Sequence, residues 1–206
     1  MNEDLKIYYN DAFMLISNNR AQMNKNFTTI LEDEKETGKF LENASFLFDG
    51  KTNRNIFILS ATPDKILRKL REQTKLILAG GGIVFNENKE LLMIHRRGKW
   101  DLAKGKIEPE EKIIEGAIRE VEEETGVLIE TAEPTPILTY HAYKLKGKDS
   151  LKETSWYKMK AKPGQNKLVP QVEEDIDEVR WVKKGDIKNY QQGSHLLIWD
   201  LISGLQ

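Results

Sequence analysis

From Lys75 onward the chain alternates short runs with strand patterning and two longer segments with helical patterning. The short runs are apolar, or they alternate apolar with polar residues as half-buried strands do. They predict strands at Lys75–Phe85, Leu91–His95, Ile137–Lys146, Thr154–Lys160 and Glu178–Val182, with a hairpin turn at residues 147–150. The last helix is predicted to follow Ser194 as its N-cap and to bury Leu196, Leu197, Trp199, Leu201 and Ile202.

The first of these two helical segments runs from Lys112 to Thr125 and has two distinct faces. Its apolar stripe follows the i, i+3, i+4, i+7 spacing and consists of Ile114, Ala117, Ile118 and Val121. A second face carries Glu120, Glu123 and Glu124. Helical side chains lean toward the N-terminus, so Glu120 is expected to lie over Gly116, with room beside the carboxylates. Gly126 is expected to end the helix in a left-handed cap.

Residues 1–73 have a separate set of patterns, which predict a small α/β appendage. Strands are expected at Lys6–Tyr9 and Phe13–Ser17, around an Asn10-Asp11 turn, and at Asn55–Ser60. A capping Thr62 followed by Pro63 and Asp64 is typical of a helix start. The role of this appendage stays open between a structural extension, control of substrate access and a dimer contact.

Composition narrows the classes of function. The 206 residues include no Cys, which excludes disulfides, thiolate catalysis and Cys-ligated zinc. A net charge of −1 gives no overall attraction to nucleic acid or membrane, so a nucleic-acid partner is disfavoured. The N-terminal residues contain no continuous apolar run, which predicts neither a signal peptide nor a membrane anchor and favours a cytoplasmic location.

Three carboxylates crowded on one helix face repel each other. A solvated surface tolerates such a face, and acidic runs usually have no further meaning. A hard cation would turn the repulsion into attraction, and Mg²⁺ takes oxygen ligands and bridges to substrate phosphates. The residues around these carboxylates decide between the two interpretations.

Residues 105–127 fill every position of the pattern G-x5-E-x7-R-E-U-x-E-E-x-G-U, where U is aliphatic; we call this segment the box. The box resembles the signature of the Nudix hydrolases. The resemblance covers about residues 75–206 and implies an α/β/α sandwich with a mixed sheet, so the predicted domains are 1–73 and 75–206. It also implies Mg²⁺, with Mn²⁺ as a substitute, and a nucleotide or nucleotide derivative as substrate. A homodimer stays open.

The resemblance assigns roles to particular residues. The metal ligands it implies are Glu120, Glu123, Glu124 and the backbone carbonyl of Lys104. Arg119 and Glu111 would brace the loop and helix, while Gly105 and Gly126 support the box. The general base varies within the family and stays open; the expected catalytic residues within the box are Glu120, Glu123 and Arg119. Some branches add an acid from outside the box, and Glu174, in the acidic run of residues 173–175, is the candidate here.

Substrate contacts are expected from residues other than the metal ligands. Arg97 and Lys106 are candidates for phosphate contact, Trp100 for stacking a base, and Tyr143 for the role of a tyrosine that marks the dinucleoside polyphosphate branch. A dinucleoside polyphosphate or a nucleoside triphosphate is the favoured substrate. Ala103 replaces the Pro usual in that branch, which weakens the assignment. The alternatives are an ADP-ribose or sugar-nucleotide pyrophosphatase, an RNA pyrophosphohydrolase and a non-catalytic nucleotide sensor.

Overall fold

The computed structural model describes residues 4–164 and 167–204. These residues form β1 (Leu5–Tyr9), β2 (Ala12–Ser17), β3 (Thr29–Leu31), α1 (Glu34–Glu42), β4 (Ile56–Leu59), α2 (Pro63–Gln73), β5 (Lys75–Phe85), β6 (Leu91–Arg96), β7 (Lys99–Asp101), β8 (Lys104–Lys106), α3 (Ile113–Thr125), β9 (Ile129–Ala132), β10 (Ile137–Leu145), β11 (Lys148–Ala161), β12 (Ile176–Val182) and α4 (Leu196–Ser203). Within these ranges no helix is both long and apolar enough to span a membrane.

The chain divides into two compact units. The N-terminal unit comprises residues 1–77 and 139–153, and the box unit comprises residues 78–138 and 154–206. The sequence predicted a boundary near residue 74 and did not assign residues 139–153 to the N-terminal part. The predicted domains 1–73 and 75–206 stay a prediction.

In the N-terminal unit, β1 and β2 form an antiparallel hairpin whose turn places Asn10 at a φ of 52°, as the Asn10-Asp11 turn predicted. The pairings of β1 with β10, β2 with β4 and β3 with β4 are parallel. The core of this unit includes residues from these strands and from both helices, among them Ile7, Ile16, Leu41, Ile58, Leu67 and Leu70.

In the box unit, β12, β6 and β5 are neighbours with antiparallel pairing. Because side chains alternate along a strand, neighbouring residues serve opposite faces of the sheet. One face shares a core with α3 through Val84, Leu92, Ile94, Ala117 and Val121. The other face shares a core with α4 through Ile83, Leu91, Met93, Ile198 and Ile202. A helix therefore covers each face, and the expected α/β/α sandwich with a mixed sheet is confirmed.

Most of the elements predicted for both units are present, with local corrections. The last helix is capped at His195 instead of Ser194, because the Ser194 hydroxyl donates to the Tyr190 carbonyl. The predicted turn at 147–150 lies instead at Lys146-Gly147, both at positive φ, so β11 begins earlier than expected. Five elements were not predicted, because they are short or, in α1, weakly apolar: β3, α1, β7, β8 and β9.

Three consecutive glycines in β5 allow the box to approach the sheet closely. A Cβ on Gly80 would lie 2.8 Å from Cβ of Ala117 and 3.0 Å from its backbone. A Cβ on Gly81 would lie 2.7 Å from the carbonyl oxygen of Ala103. Both neighbours belong to well-packed structure that cannot move independently, so these positions have no space for a side chain.

We expect Gly80→Ala to lower the free energy of unfolding by about 1–3 kcal/mol, since the new methyl group pushes α3 away from the sheet. Urea unfolding followed by circular dichroism measures the change. Gly185→Ala is the matched control, because a Cβ there meets no atom within 4 Å. Equal stability of the Gly80 and Gly185 variants would contradict the close packing.

Candidate active site

The box is built from β8, a connecting loop and α3. Gly105 in β8 lies opposite Gly80 in β5, which fixes the start of the box against the sheet. Ala117 and Val121 are fully buried, and Ile114 and Ile118 pack beside them, so the predicted apolar stripe is confirmed. The left-handed cap is also confirmed: Gly126 has a φ of 71° and its N–H donates to the Glu122 carbonyl.

Arg119 is the centre of the polar face of α3. Its Nε and Nη2 donate to the two carboxylate oxygens of Glu111 at 2.8 and 2.9 Å, and Nη2 also donates to the Lys106 carbonyl at 3.2 Å. Its Nη1 donates to Glu120 and to Glu123, both at 2.9 Å. Hydrogen bonding to Glu111 raises the pKa of Arg119 further above its ordinary value. One guanidinium thus joins the loop to two of the three helix carboxylates.

The space above Gly116, where Glu120 was expected, is occupied by Glu111. A Cβ on Gly116 would lie 2.5 Å from Glu111 Oε2, so Gly116 makes room for Glu111, and the expectation that Glu120 lies there is wrong. The physical reason is the two-bond pairing with Arg119, which draws Glu111 onto the helix. The Arg119 guanidinium and the Glu108 N–H hold the pKa of Glu111 down to about 2.

Glu120 lies instead over the backbone of Gly105. A Cβ on Gly105 would lie 1.7 Å from Glu120 Oε2, so only glycine leaves this carboxylate its place. Burial raises the pKa of Glu120, and the neighbouring charges of Glu123 and Glu174 add to this effect, while Arg119 opposes it. The surroundings of Glu120 therefore only partly compensate a negative charge on its carboxylate.

Glu124 is the most buried of the box carboxylates, with 1% of its surface exposed. Its Oε2 accepts from the Lys104 N–H at 2.8 Å, and its Oε1 lies 3.5 Å from Arg96 Nη1. Burial raises the pKa of Glu124 to about 7, although Lys104 and Arg96 oppose the shift. The bond from Lys104 ties the carboxylate directly to the backbone segment whose carbonyl was predicted to serve as a ligand.

Arg96 links the box to the acidic run outside it. Its Nη2 donates to Glu174 at 2.6 Å, and its buried Nε has no hydrogen-bond partner in the described part of the chain. Glu174, the predicted outside acid, is thereby held near Glu124 and is close enough to Glu120 to affect its pKa.

Arg97 was predicted to contact phosphate, but its neighbour Arg96 is the arginine that contacts the box. Residues 92, 94 and 96 of β6 share one face, and Leu92 and Ile94 lie in the core beneath α3. Arg96 therefore points toward the box, whereas Arg97 leaves the strand at a positive φ of 52° and pairs with Asp175 at an exposed position.

The segment before Glu174 is bound to the end of α3. The Val169 N–H donates to the Thr125 carbonyl at 2.8 Å, and the Gln171 N–H donates to the Glu124 carbonyl at 3.2 Å. These two bonds satisfy carbonyl groups that a helix end leaves without partners. They also set the position of the acidic run relative to the box.

Asp101 and Lys104 form a further buried pair that the sequence analysis did not identify. Lys104 Nζ lies 2.7 Å from Asp101 Oδ2, and the Leu102 N–H donates to Asp101 Oδ1. Although burial alone would raise it, the pKa of Asp101 is lowered by Lys104 and by these hydrogen bonds. The pair fixes the Lys104 side chain, so its ammonium is engaged before any substrate arrives.

The oxygen atoms around Glu120 and Glu124 are of the type that a hard divalent cation prefers as ligands. Six carboxyl groups share three cationic side chains: Asp101, Glu111, Glu120, Glu123, Glu124 and Glu174 against Arg96, Lys104 and Arg119. Such an excess of half-buried oxygen donors suits Mg²⁺. No three acidic or histidine side chains within residues 4–164 and 167–204 are already arranged as an ion site, because Arg119 engages both Glu120 and Glu123.

The predicted substrate residues lie on different elements. Lys106 is exposed in β8. Trp100 is half-buried, with its ring 4.9 Å from Tyr190 and 5.1 Å from His95, and its backbone N–H donates to Gly193. Tyr143 lies in β10, in the N-terminal unit, where its ring stacks on His141 at 5.3 Å. The substrate roles of these residues stay predictions.

Comparisons with known proteins give one family match and several similar proteins. The NUDIX domain family matches residues 75–199. A 60-residue segment is 43% identical to Nudix hydrolase 8 of Arabidopsis thaliana; it covers 26% of this chain and only 16% of that relative. A MutT protein structure from Bacillus halodurans is 24% identical, with a TM-score of 0.45, over 55% of this chain and 72% of that one. A C. elegans Ap4A hydrolase structure is 19% identical, with a TM-score of 0.43, over 63% and 99%.

The fold and site define an α/β/α sandwich in which one helix presents an arginine-braced acidic face beside the sheet. The family match covers more than half of the chain, and the box falls inside it. The chain belongs to the Nudix family.

We expect Glu111→Gln to destabilise the protein in a pH-dependent way. The pKa of Glu111 is lowered on folding, so its ionised form contributes stability above its unfolded-state pKa, near 4.5, and loses that contribution as the pH falls toward about 2. The stability difference between wild type and variant should be small near pH 2 and full above pH 4.5, measured by denaturant unfolding across this range. Glu115→Gln, at an exposed ion pair on the same helix, is the control. A deficit of constant size at every pH would contradict the ionic role.

Proposed function

We propose that this protein is a Mg²⁺-dependent Nudix hydrolase that cleaves a phosphoanhydride bond of a nucleoside diphosphate-linked substrate by water attack at phosphorus. The observation that carries the proposal is the complete box together with its arrangement, in which Arg119 holds Glu111, Glu120 and Glu123 on one surface. A purely solvated acidic face would need no such bracing and no glycine beneath Glu120.

In this proposal Glu120, Glu123, Glu124 and the Lys104 carbonyl hold the cation. The bound cation would neutralise phosphate oxygens and lower the pKa of the attacking water. Glu124, held by the Lys104 N–H, is positioned by the backbone itself. Arg119 orients Glu120 and Glu123 as carboxylates.

The proton from the attacking water needs an acceptor close to the box. Glu120, Glu123 and Glu174 are the candidates. Glu174 is 52% exposed, so solvent reaches it, while Arg96 holds one of its oxygens. A carboxylate that is both fixed and open to water suits a general base.

For the substrate we favour a dinucleoside polyphosphate or a nucleoside triphosphate. The exposed cations Arg97, before the box, and Lys106, at its start, would meet a chain of phosphates. Arg97 is paired only with the exposed Asp175, a partner that a phosphate can replace. Hydrolysis of an ADP-ribose-type sugar nucleotide is the main alternative.

We expect Glu120→Gln and Glu124→Gln each to reduce Mg²⁺-dependent hydrolysis about 10²-fold or more. Each substitution removes a carboxylate that would hold the cation, and stabilisation of the transition state depends on the exact position of that charge. Phosphate release under saturating nucleotide and Mg²⁺ measures the effect. Glu115→Gln, on the exposed side of the same helix, should keep wild-type activity. Unchanged turnover in both box variants would overturn the catalytic proposal.

We expect Glu174→Gln to lower kcat about 10- to 100-fold while leaving the fold unchanged, because Glu174 lies at an exposed position and contacts the box only through Arg96. The matched control is Asp175→Asn, which changes the next acid in the chain and affects only the exposed pair with Arg97. Steady-state kinetics of both variants should separate them. Equal effects of the two substitutions on kcat would mean that the acidic run of residues 173–175 contributes only its overall charge.

A substrate screen distinguishes the remaining alternatives. Dinucleoside polyphosphates, nucleoside triphosphates, ADP-ribose and 5′-triphosphate RNA are incubated with Mg²⁺ or Mn²⁺, and the products are identified by mass. Preference for ADP-ribose would replace the favoured substrate class. Nucleotide binding without hydrolysis of any compound would support the non-catalytic sensor instead.

A further inference from the structure

We propose that the N-terminal unit contains a second binding site, for a small molecule that joins an aromatic ring to an anionic group, of the nucleoside phosphate class. The site is a groove lined by eight residues from β3, α1, the turn after α1 and the segment leading into β4; we call it the groove. Its volume is about 500 Å³. This volume falls in the range of small-molecule sites.

The charges of the groove select an anion. Lys51 and Arg54 line it, and no acidic residue does. Neither side chain has an ion-pair or hydrogen-bond partner within residues 4–164 and 167–204. Two unpaired cations facing one concave surface would bind a phosphate group through charge-assisted hydrogen bonds.

The apolar part of the groove suits a planar ring. Phe40 and Phe46 form an edge-to-face pair with ring centroids 5.3 Å apart, and both remain partly exposed at the edge of the core. Ile56, from β4, is buried and lies beneath them in the groove lining. A planar ring in the groove could pack against these rings at the spacing that aromatic pairs prefer. Thr29 and Asn53 add hydrogen-bond donors and acceptors at the same surface.

The cationic segment is already held in place. The Tyr9 hydroxyl donates to the Arg54 carbonyl, and Asn10 Nδ2 donates to the Thr52 carbonyl at 3.0 Å. Asn55 accepts from the Phe13 N–H at 3.2 Å. These bonds use backbone groups and the Asn55 amide, and they leave the Lys51 and Arg54 side chains available. A preformed site loses less conformational entropy when a ligand binds.

The test titrates the full chain carrying Glu120→Gln with ADP in chelating buffer, which suppresses hydrolysis and metal-dependent binding at the box. Backbone amide NMR follows residues 51–54, and calorimetry gives the affinity. Lys51→Ala/Arg54→Ala is compared with Lys65→Ala/Arg68→Ala, which removes the same two charge types from the exposed face of α2 in the same unit. Thermal unfolding checks that both variants fold.

We expect ADP to shift the amides of residues 51–54, and the Lys51→Ala/Arg54→Ala variant to bind at this site at least about tenfold more weakly, while the α2 variant binds as its parent does. Adenosine and inorganic phosphate should each bind at least about tenfold more weakly than ADP. The proposal is overturned if these amides do not shift, if both double variants weaken binding equally, or if phosphate alone binds as tightly as ADP. Because the box is inactivated in every sample, these outcomes do not depend on the proposed hydrolase activity.

Discussion

The arrangement of the acidic surface depends on the hydrogen bonds of one guanidinium group. Arg119 has a planar set of donors, and it uses three of its nitrogens to contact Glu111, Glu120, Glu123 and the Lys106 carbonyl. A lysine ammonium carries the same charge but cannot present parallel donors to a carboxylate. Without this fork, neighbouring carboxylates on α3 would repel each other and turn toward solvent. The guanidinium therefore fixes the direction of these carboxylates, and it lowers the pKa of Glu111.

A second guanidinium extends this surface beyond the helix. Arg96 lies between Glu124, at the end of α3, and Glu174, which is distant in sequence. The two acids are thus brought together by a cation from β6, on the face of the strand that also packs beneath the helix. Because the glycines of β5 let α3 lie close to the sheet, a side chain from β6 can reach the helix end. The β5 glycines therefore allow both the close packing of α3 on the sheet and the ion pair between Arg96 and Glu124.

Local patterns predicted the parts of this arrangement that depend on neighbours in sequence. The stripe of Ala117 and Val121 and the left-handed Gly126 follow from helix geometry alone. The complete box predicted the pairing of Arg119 with Glu111. Strand periodicity places Arg96 on the same face of β6 as Leu92 and Ile94. Choosing Arg96 over Arg97 also required knowing that the box helix covers this face.

Other features could not be predicted because they depend on contacts between distant segments. Nothing local to Gly105 indicates that the carboxylate of Glu120 will occupy its side-chain space. The burial of Glu124 follows from bonds to Lys104 and from the return of the chain at Val169 and Gln171. The grouping of residues 139–153 with the N-terminal unit likewise follows from strand pairing far along the chain, as β1 pairs with β10.

The acidic residues occupy the end of α3 where a helix least favours them. Backbone dipoles give the C-terminal turn a partial negative charge, which favours cations there, yet this turn contains Glu123 and Glu124 and no basic residue. The folded chain therefore holds an electrostatic conflict at one defined place. A cation bound beside these carboxylates would interact favourably with both the side chains and the helix dipole. Ion binding and thermal stability are then linked, so the melting temperature of the protein becomes a measure of occupancy at this surface.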